Sequence, residues 1–255
     1  MIGPAVVGVA FLVLPLVGLV LRTPWRSLGS ILATADVAAA LRLSLLTATT
    51  ATVVSFVLGV PLAWLLARSA WPGMAVLRAL VTLPLVLPPV VGGVALLLVF
   101  GRVGFVGQYL DHWFGITLPF STAGVIVAET FVAMPFLVVT VEGALRSASQ
   151  GYDEAAATLG ATRITVFRRV TAPLIGPSLL AGGVLCWARA VGEFGATIVF
   201  AGNFPGRTQT MPLAVYLALE SDPDAAIALS LVLLVVSVAV LVGLRDRWLH
   251  SGPFR

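Results

Sequence analysis

Three ionisable side chains, Glu129, Arg189 and Glu193, lie within segments of the chain that are otherwise apolar. Charged groups inside a membrane are costly, and they commonly mark ion or substrate pathways. Arg189 and Glu193 are four residues apart, so on a helix the two side chains could form an internal ion pair. Two interpretations stay open. The pair could pin its helix in a bundle, or Arg189 could attract an anionic substrate while Glu193 limits how tightly that substrate is held.

The sequence excludes several kinds of catalytic and binding chemistry. All fifteen basic residues are arginine, so the chain has neither the lysine of a phosphate-binding P-loop nor a lysine for Schiff-base chemistry. It also lacks HExxH, GxSxG and paired-cysteine metal motifs, and Cys186 is its single cysteine. We therefore expect no enzymatic activity, no metal and no cofactor. In so apolar a chain, the excess of arginine indicates membrane topology and not nucleic-acid binding.

The elements that must position the three charged side chains are transmembrane helices. Of the 255 residues, 59% are hydrophobic and 10% are charged, whereas an ordinary soluble domain is about 25% charged. A helix needs about 20 apolar residues to cross the hydrocarbon core. Six windows qualify: residues 2–21, 43–66, 76–100, 123–145, 174–200 and 225–244. The predicted fold is therefore all-α, a single transmembrane domain over residues 1–255 with six spans.

Window 76–100 contains residues that should break a helix. Pro84, Pro88 and Pro89 each remove an amide donor and clash with the preceding turn, and Gly92 and Gly93 follow them. Broken backbone inside a membrane is tolerated where it is buried in protein or lines a wet cavity. The helix N-termini at such breaks can offer amides to anions. The prolines indicate either a packing kink or part of a substrate pathway.

Arginine placement predicts the orientation of the six spans. One side holds nine arginines: Arg68, Arg78, Arg146, Arg163, Arg168, Arg169, Arg245, Arg247 and Arg255. The other side holds five: Arg22, Arg26, Arg42, Arg102 and Arg207. An even number of spans places both termini on one side, here the side with nine. The positive-inside rule therefore predicts that both termini are cytoplasmic.

The polar segment 152–170 lies between the fourth and fifth windows. Asp153 can cap a first short helix, and Gly160 can end that helix in the left-handed conformation. Thr162 can cap a second helix that ends at Ala172-Pro173. The apolar side chains of this second helix share one face: Ile164, Phe167 and Val170. We predict a helix–glycine–helix structure on the cytoplasmic surface, here called the elbow, which from its residues alone could rest on lipid headgroups or bind a partner.

The spacing of small residues in the elbow resembles the EAA motif of ABC-importer permeases. Glu154-Ala155-Ala156 is followed after three residues by Gly160 and, further on, by Pro173. The family has isoleucine and leucine where this chain has Val170 and Ala172. In that family, which has the type I importer fold, the segment is the coupling helix that docks on an ATP-hydrolysing subunit. The resemblance implies coupling to an ATPase through Asp153, Glu154, Ala155, Ala156, Leu159, Gly160, Phe167 and Pro173.

Residues 189–216 and 83–93 are similar to stretches of molybdate permeases and, less closely, of sulfate and tungstate permeases. This resemblance implies import of molybdate or a related tetrahedral oxyanion across the plasma membrane. It implies a homodimer in the lipid bilayer, two separate ATPase subunits and an extracytoplasmic oxyanion-binding protein. It also implies a permease core over residues 41–247, after a first span and loop over 1–40 and before a cytoplasmic tail over 248–255.

Two further sets of residues are candidates for sites. The translocation pathway or gate would contain Pro84, Pro88, Pro89, Glu129, Arg189, Glu193 and Phe194. The outer loop would meet the binding protein through Asn203, Arg207 and Thr210, with a merely solvated loop as the alternative. Functions from two other classes stay open. A secondary transporter driven by an ion gradient would use the buried charges but leaves the elbow unexplained, and a structural scaffold leaves the prolines unexplained.

Overall fold

The computed structural model describes residues 2–148, 151, 156 and 158–249, and these residues form helices joined by turns. Asp153, Glu154 and Ala155 of the predicted coupling segment lie outside the described residues. The helices, in chain order, are α1 (Ile2–Arg22), α2 (Leu28–Leu32), α3 (Ala35–Arg68), α4 (Met74–Val86), α5 (Pro89–Phe100), α6 (Gly107–Phe114), α7 (Thr122–Ser147), α8 (Arg163–Val166), α9 (Ala172–Leu174), α10 (Gly176–Val191), α11 (Gly195–Phe200), α12 (Met211–Ser221) and α13 (Pro223–Leu249). A π-helical turn, Phe167–Thr171, joins α8 to α9.

The described residues contain up to six spans when each bent helix pair is counted as one, and the predicted all-α membrane fold is confirmed. Four helices in the described part of the chain are long and apolar enough to cross a membrane alone: α1, α3, α7 and α13. Two pairs pass the same test as bent spans. The first is α4 with α5, bent by 118°, and the second is the helix that begins at Ile164 with α10, bent by 77°.

The break between α4 and α5 follows from two of the three prolines. Leu87 is extended, with ψ 130°, because the ring of a following proline disfavours helical backbone at the residue before it. Pro88 is extended too, and Pro89 takes the first position of α5, where its missing amide donor costs nothing. Pro84 lies inside α4 without ending it. The predicted third span is therefore two helices that meet at a sharp angle.

The core is formed where α3, α7 and α10 pack on one another. Gly59 of α3 lies against Met134 and Val138 of α7, where an added Cβ would lie 3.2 Å from a side-chain atom of each. On α10, Gly182 lies against Leu137 of α7 in the same way. Small residues allow such close approach in lipid, where no hydrophobic force drives helices together. These three helices form the frame that holds the polar groups described below.

The fifth predicted span differs most from the structure. The predicted window 174–200 is divided, since α10 ends at Val191 and α11 begins at Gly195. The segment predicted as the following loop contains α12, an apolar helix of 11 residues that is too short to cross a membrane. The interruption at residues 192–194 places Glu193 at a helix junction and not in the middle of a continuous span.

Candidate translocation and coupling sites

Glu129 is a fully buried carboxylate in the middle of α7, with 1% of its surface exposed. Its Oε1 accepts a hydrogen bond of 2.9 Å from the Thr47 hydroxyl of α3. Its Oε2 has no hydrogen-bond partner among the described residues. A buried charge is normally paired or hydrogen-bonded, because desolvation penalises the ionised form. Glu129 is therefore an incompletely satisfied polar group at the α3–α7 contact.

Arg189 and Glu193 form the ion pair that their spacing predicts. The Nη2 of Arg189 lies 2.6 Å from the Glu193 Oε2, although the contact is not aligned as a directional hydrogen bond. The Glu193 side chain is 1% exposed and that of Arg189 is 26% exposed. The Glu193 Oε1 also accepts a 2.7 Å hydrogen bond from the Ala196 amide. Glu193 thus caps the N-terminus of α11, where a negative charge is favoured.

The buried carboxylates belong to one interior polar cluster. Glu193 is close enough to Glu129 for their charges to interact. One turn of α3 before Thr47, the Ser44 hydroxyl accepts a 2.7 Å hydrogen bond from the Met211 amide at the start of α12. The cluster therefore joins α3, α7, the α10–α11 junction and α12. It brings together Glu129, Arg189 and Glu193, the three charges that the sequence singled out.

The electrostatics of this cluster do not favour tight binding of an anion. The charge of Arg189 is already compensated by Glu193, and a second carboxylate, Glu129, lies close enough to Glu193 for their charges to interact. An oxyanion entering here would compete with a contact of 2.6 Å. Such an arrangement suits weak contact with a passing anion and does not suit storage of one.

A close contact joins α5 to α11, the helices that follow the break after α4 and the break after α10. We call α4–α5 and α10–α11 the two interrupted spans. A Cβ added to Gly93 would lie 2.8 Å from the Cβ of Val199 and 2.9 Å from the carbonyl of Ala196. A Cβ added to Gly195 would lie 2.9 Å from the Cβ of Pro89. Glycine is needed at both positions because backbone meets backbone here. The second halves of the broken spans therefore pack as one unit.

Phe194 and the proline pair lie at the two helix breaks. Phe194 is at the start of α11, and its ring centre is 5.2 Å from that of Tyr216 on α12. Pro88 is exposed and Pro89 is half-buried, whereas Pro84 lies within α4. The contact between Gly195 and Pro89 brings Phe194, Pro88 and Pro89 to one region, next to the interior polar cluster. Pro84 is further from it along α4.

The three loop residues predicted to meet a binding protein differ in exposure. Arg207 is exposed, and its carbonyl accepts a 2.8 Å hydrogen bond from the Thr122 hydroxyl at the start of α7. Asn203 is half-buried, while Thr210 is buried, with 1% of its surface exposed. Thr210 is thus unavailable to an outside partner in this conformation, because the segment from Thr208 to Thr210 is buried before α12 begins.

The described part of the elbow has the predicted turn and cap. Gly160 has a φ of 82°, and the Ala161 amide donates to the Ala156 carbonyl at 3.2 Å, the pattern of a glycine-ended helix. Thr162 then caps the next helix, since its hydroxyl accepts a 3.3 Å hydrogen bond from the Thr165 amide. Both local predictions are confirmed.

The predicted apolar face of the second elbow helix is confirmed only in part. Phe167 and Val170 are half-buried and Arg168 and Arg169 are exposed, whereas Ile164 is 72% exposed. The π-helical turn Phe167–Thr171 adds a residue to the turn after Val166, so Val170 does not lie directly in line with Ile164. The helix also continues past Pro173 to Leu174 before the chain bends, so Ala172-Pro173 does not end it.

Sequence reasoning missed Glu142, an acid in the last turns of α7. Its side chain is 8% exposed, and its Oε1 lies 2.8 Å from the Nε of Arg78 and 3.0 Å from the Nε of Arg146. Both arginines also donate to the Leu66 carbonyl near the end of α3, at 3.1 Å and 3.4 Å. We call these four residues the clasp. The spacing of Glu142 and Arg146, four residues apart, was the available signal.

This fold is found in the membrane part of ABC importers. The chain superimposes on the crystal structure of a bacterial ABC transporter that imports the acidic polysaccharide alginate, with a TM-score of 0.78. The match covers 97% of this chain and 93% of that chain at 17% sequence identity. At this identity the likeness establishes the fold alone.

Residues 56–251 match the family of binding-protein-dependent transport system inner membrane components, and the chain belongs to that family. It is 50% identical over 244 residues to the molybdenum transport system permease protein ModB of Mycobacterium tuberculosis, covering 96% of this chain and 92% of the relative. It is 39% identical over 234 residues to the sulfate transport system permease protein CysT of Salmonella typhimurium, covering 90% and 84%. This protein is therefore a multi-pass ABC-importer permease.

Proposed function

We propose that this chain is the membrane-spanning subunit of an importer that carries molybdate into the cytoplasm, powered by separate ATP-hydrolysing subunits. The observation that carries the proposal is the 50% identity to a molybdenum permease over nearly the whole of both chains. The lower identity of 39% to a sulfate permease makes sulfate the second candidate, with tungstate as a chemical relative of molybdate. The chain itself hydrolyses no ATP, because it has no lysine for a P-loop.

The elbow is the surface that would bind the ATPase subunit and move with its conformational change. Leu159 and Ile164 are 88% and 72% exposed, although both are large and apolar. They flank the turn at Gly160, so the pair forms an apolar surface that a groove of a partner protein could cover. The remaining coupling candidates are Asp153, Glu154, Ala155, Ala156, Phe167 and Pro173. We propose that this surface binds the ATPase subunit at the cytoplasmic face, which places both termini in the cytoplasm.

Replacement of the exposed apolar residues tests this docking surface. Leu159→Asp and Ile164→Asp should each weaken co-purification of the ATPase subunit at least tenfold, because a buried carboxylate would be left unpaired in the interface. Val103→Asp is the matched control, since Val103 is 97% exposed in the loop that follows α5. Unchanged binding in both elbow variants would contradict the assignment.

The two interrupted spans would form the substrate pathway. Pro88, Pro89 and Phe194 lie at their breaks, and Glu129, Arg189 and Glu193 lie beside them. Closure of the ATPase pair would move the elbow, and the α5–α11 unit would then shift relative to α3 and α7. Because the charge of Arg189 is compensated, the oxyanion would pass without being held. Pro84, inside α4, would act only by shaping that helix.

The remaining partners follow from the same proposal. Two copies of the chain would form a homodimer around the pathway, within the lipid bilayer of the plasma membrane. An extracytoplasmic oxyanion-binding protein would dock on the outer face, where exposed Arg207 and half-buried Asn203 are available and buried Thr210 is not. The arginines are explained by membrane topology, so we propose no nucleic-acid partner.

Competition in the reconstituted complex tests the substrate. Uptake of labelled molybdate is measured with increasing unlabelled sulfate or tungstate. Molybdate transport that resists a hundredfold excess of sulfate supports a molybdate importer, whereas equal competition would favour the sulfate assignment. The charged cluster by itself would suit an ion-coupled secondary transporter, but the elbow and the family membership favour ATP-driven import.

A further inference from the structure

The clasp concentrates charge at the end of the bundle that leads into the elbow. Two guanidinium groups, from Arg78 on α4 and Arg146 on α7, meet the carboxylate of Glu142 and the carbonyl of Leu66. The carbonyl belongs to the last turn of α3, where backbone acceptors lack helical partners. The carboxylate joins α7 to α4 through Arg78, the two arginines join both helices to α3 through Leu66, and the carboxylate screens the two like charges from each other.

We propose that Glu142 is a positioning residue that makes the ends of α3, α4 and α7 one rigid body. The proposal rests on the function proposed above. Movement of the elbow would then be passed through α7 and the clasp to α4. The bending that opens the pathway would occur at the break of Leu87 and Pro88, and the clasp would stay closed.

The burial of Glu142 is the reason to expect a closed clasp. Its side chain is 8% exposed and contacts both arginines at 3.0 Å or less. Separation of α4 would take from the buried Glu142 the shorter of its two ion pairs and from the Leu66 carbonyl the shorter of its two hydrogen bonds, and both losses are unfavourable. Without Glu142, the positive charges of Arg78 and Arg146 would repel each other, and α4 would lose its polar tie to α7.

Connectivity shows why α4 is the helix that matters. α7 ends at Ser147, immediately before the elbow, so movement of the elbow reaches the end of α7 first. α4 leads through a break of two residues into α5, which packs tightly on α11 through Gly93 and Gly195. α11 is capped by Glu193 of the interior polar cluster. The clasp therefore connects the end of α7 to the helices beside the interior polar cluster.

The first experiment uses the purified permease without partners, so it tests the clasp independently of transport. Spin labels at Val76→Cys on α4 and Gly143→Cys on α7 occupy exposed positions, while Cys186 is fully buried and should not react. The labelled protein is diluted in unlabelled permease. The clasp predicts a narrow distance distribution that broadens with Glu142→Gln. Arg102→Gln, which removes an exposed ion pair in the loop after α5, should leave it narrow.

An unchanged distribution in the Glu142→Gln permease would overturn the rigid-body proposal. So would a large change of the same distance when ATP binds to the complete wild-type complex, since the clasp would then open in the cycle.

The second experiment separates positioning from simple stabilisation. In the complete complex, Glu142→Gln should retain the rate of ATP hydrolysis within twofold and lower oxyanion uptake per ATP at least tenfold. An equal fall in hydrolysis and uptake would indicate a structural role only and would overturn the proposal. If the wild-type complex imports no oxyanion, the proposed function fails, while the spin-label result still decides whether the clasp is rigid.

Discussion

Gly93→Ala places one methyl group in the tightest contact between the interrupted spans. The new Cβ would lie 2.8 Å from the Cβ of Val199 and 2.9 Å from the carbonyl of Ala196, and backbone cannot move aside as a flexible side chain could. Overpacking of this kind costs about 1–3 kcal/mol, and alanine in a helix recovers about 0.5–1 kcal/mol. We expect a net loss of about 1–2 kcal/mol, which lowers Tm by roughly 2–8 °C for a domain of this size.

Thermal unfolding of the purified permease in detergent measures this loss, and oxyanion uptake by the complex measures its effect on function. Gly143→Ala is the matched control, because Gly143 is also helical and a Cβ there meets nothing within 4 Å. The control should keep its Tm or gain slightly. Equal Tm values for the two variants would refute the close contact between α5 and α11.

Three further substitutions test the elbow and the interior polar cluster. Gly160→Val should cost about 1–2 kcal/mol locally, because a β-branched residue avoids a φ of 82°, and it should lower uptake more than ATP hydrolysis; unchanged uptake would count against coupling. Arg189→Gln should destabilise the permease by about 3–5 kcal/mol through the unpaired Glu193, whereas the double variant with Glu193→Gln should recover most of this loss in thermal unfolding. If the double variant also recovers transport, Arg189 has no direct substrate role. Ser44→Ala should cost about 1–3 kcal/mol because the buried Met211 amide loses its acceptor, and a Tm equal to wild type would refute that hydrogen bond.

Local backbone chemistry was readable from the sequence. Gly160 ends a helix because glycine tolerates a positive φ, and Thr162 caps the next helix because its hydroxyl reaches a free amide. The break after Leu87 follows from the restriction that Pro88 places on the residue before it. Each of these outcomes depends on neighbours within a few positions, so no knowledge of the fold was needed.

Features that depend on packing were not readable. The shared face of the elbow helix was predicted only in part, since a π-helical turn after Val166 changes the register between Ile164 and Val170. Thr210 looked like a loop residue, yet it is buried next to the α3–α12 contact. Glu142 was overlooked because one of its partners, Arg78, is 64 residues away in the sequence. Long-range contacts of this kind are set by tertiary structure and not by local pattern.

ATP-driven import of an oxyanion through this chain is tested most directly by uptake of labelled molybdate into proteoliposomes that contain the permease, the ATPase subunits and the binding protein. We expect uptake that requires ATP, is lost without the binding protein, and does not respond to an imposed proton or sodium gradient. Uptake driven by an ion gradient in vesicles without ATP would contradict ATP-driven import.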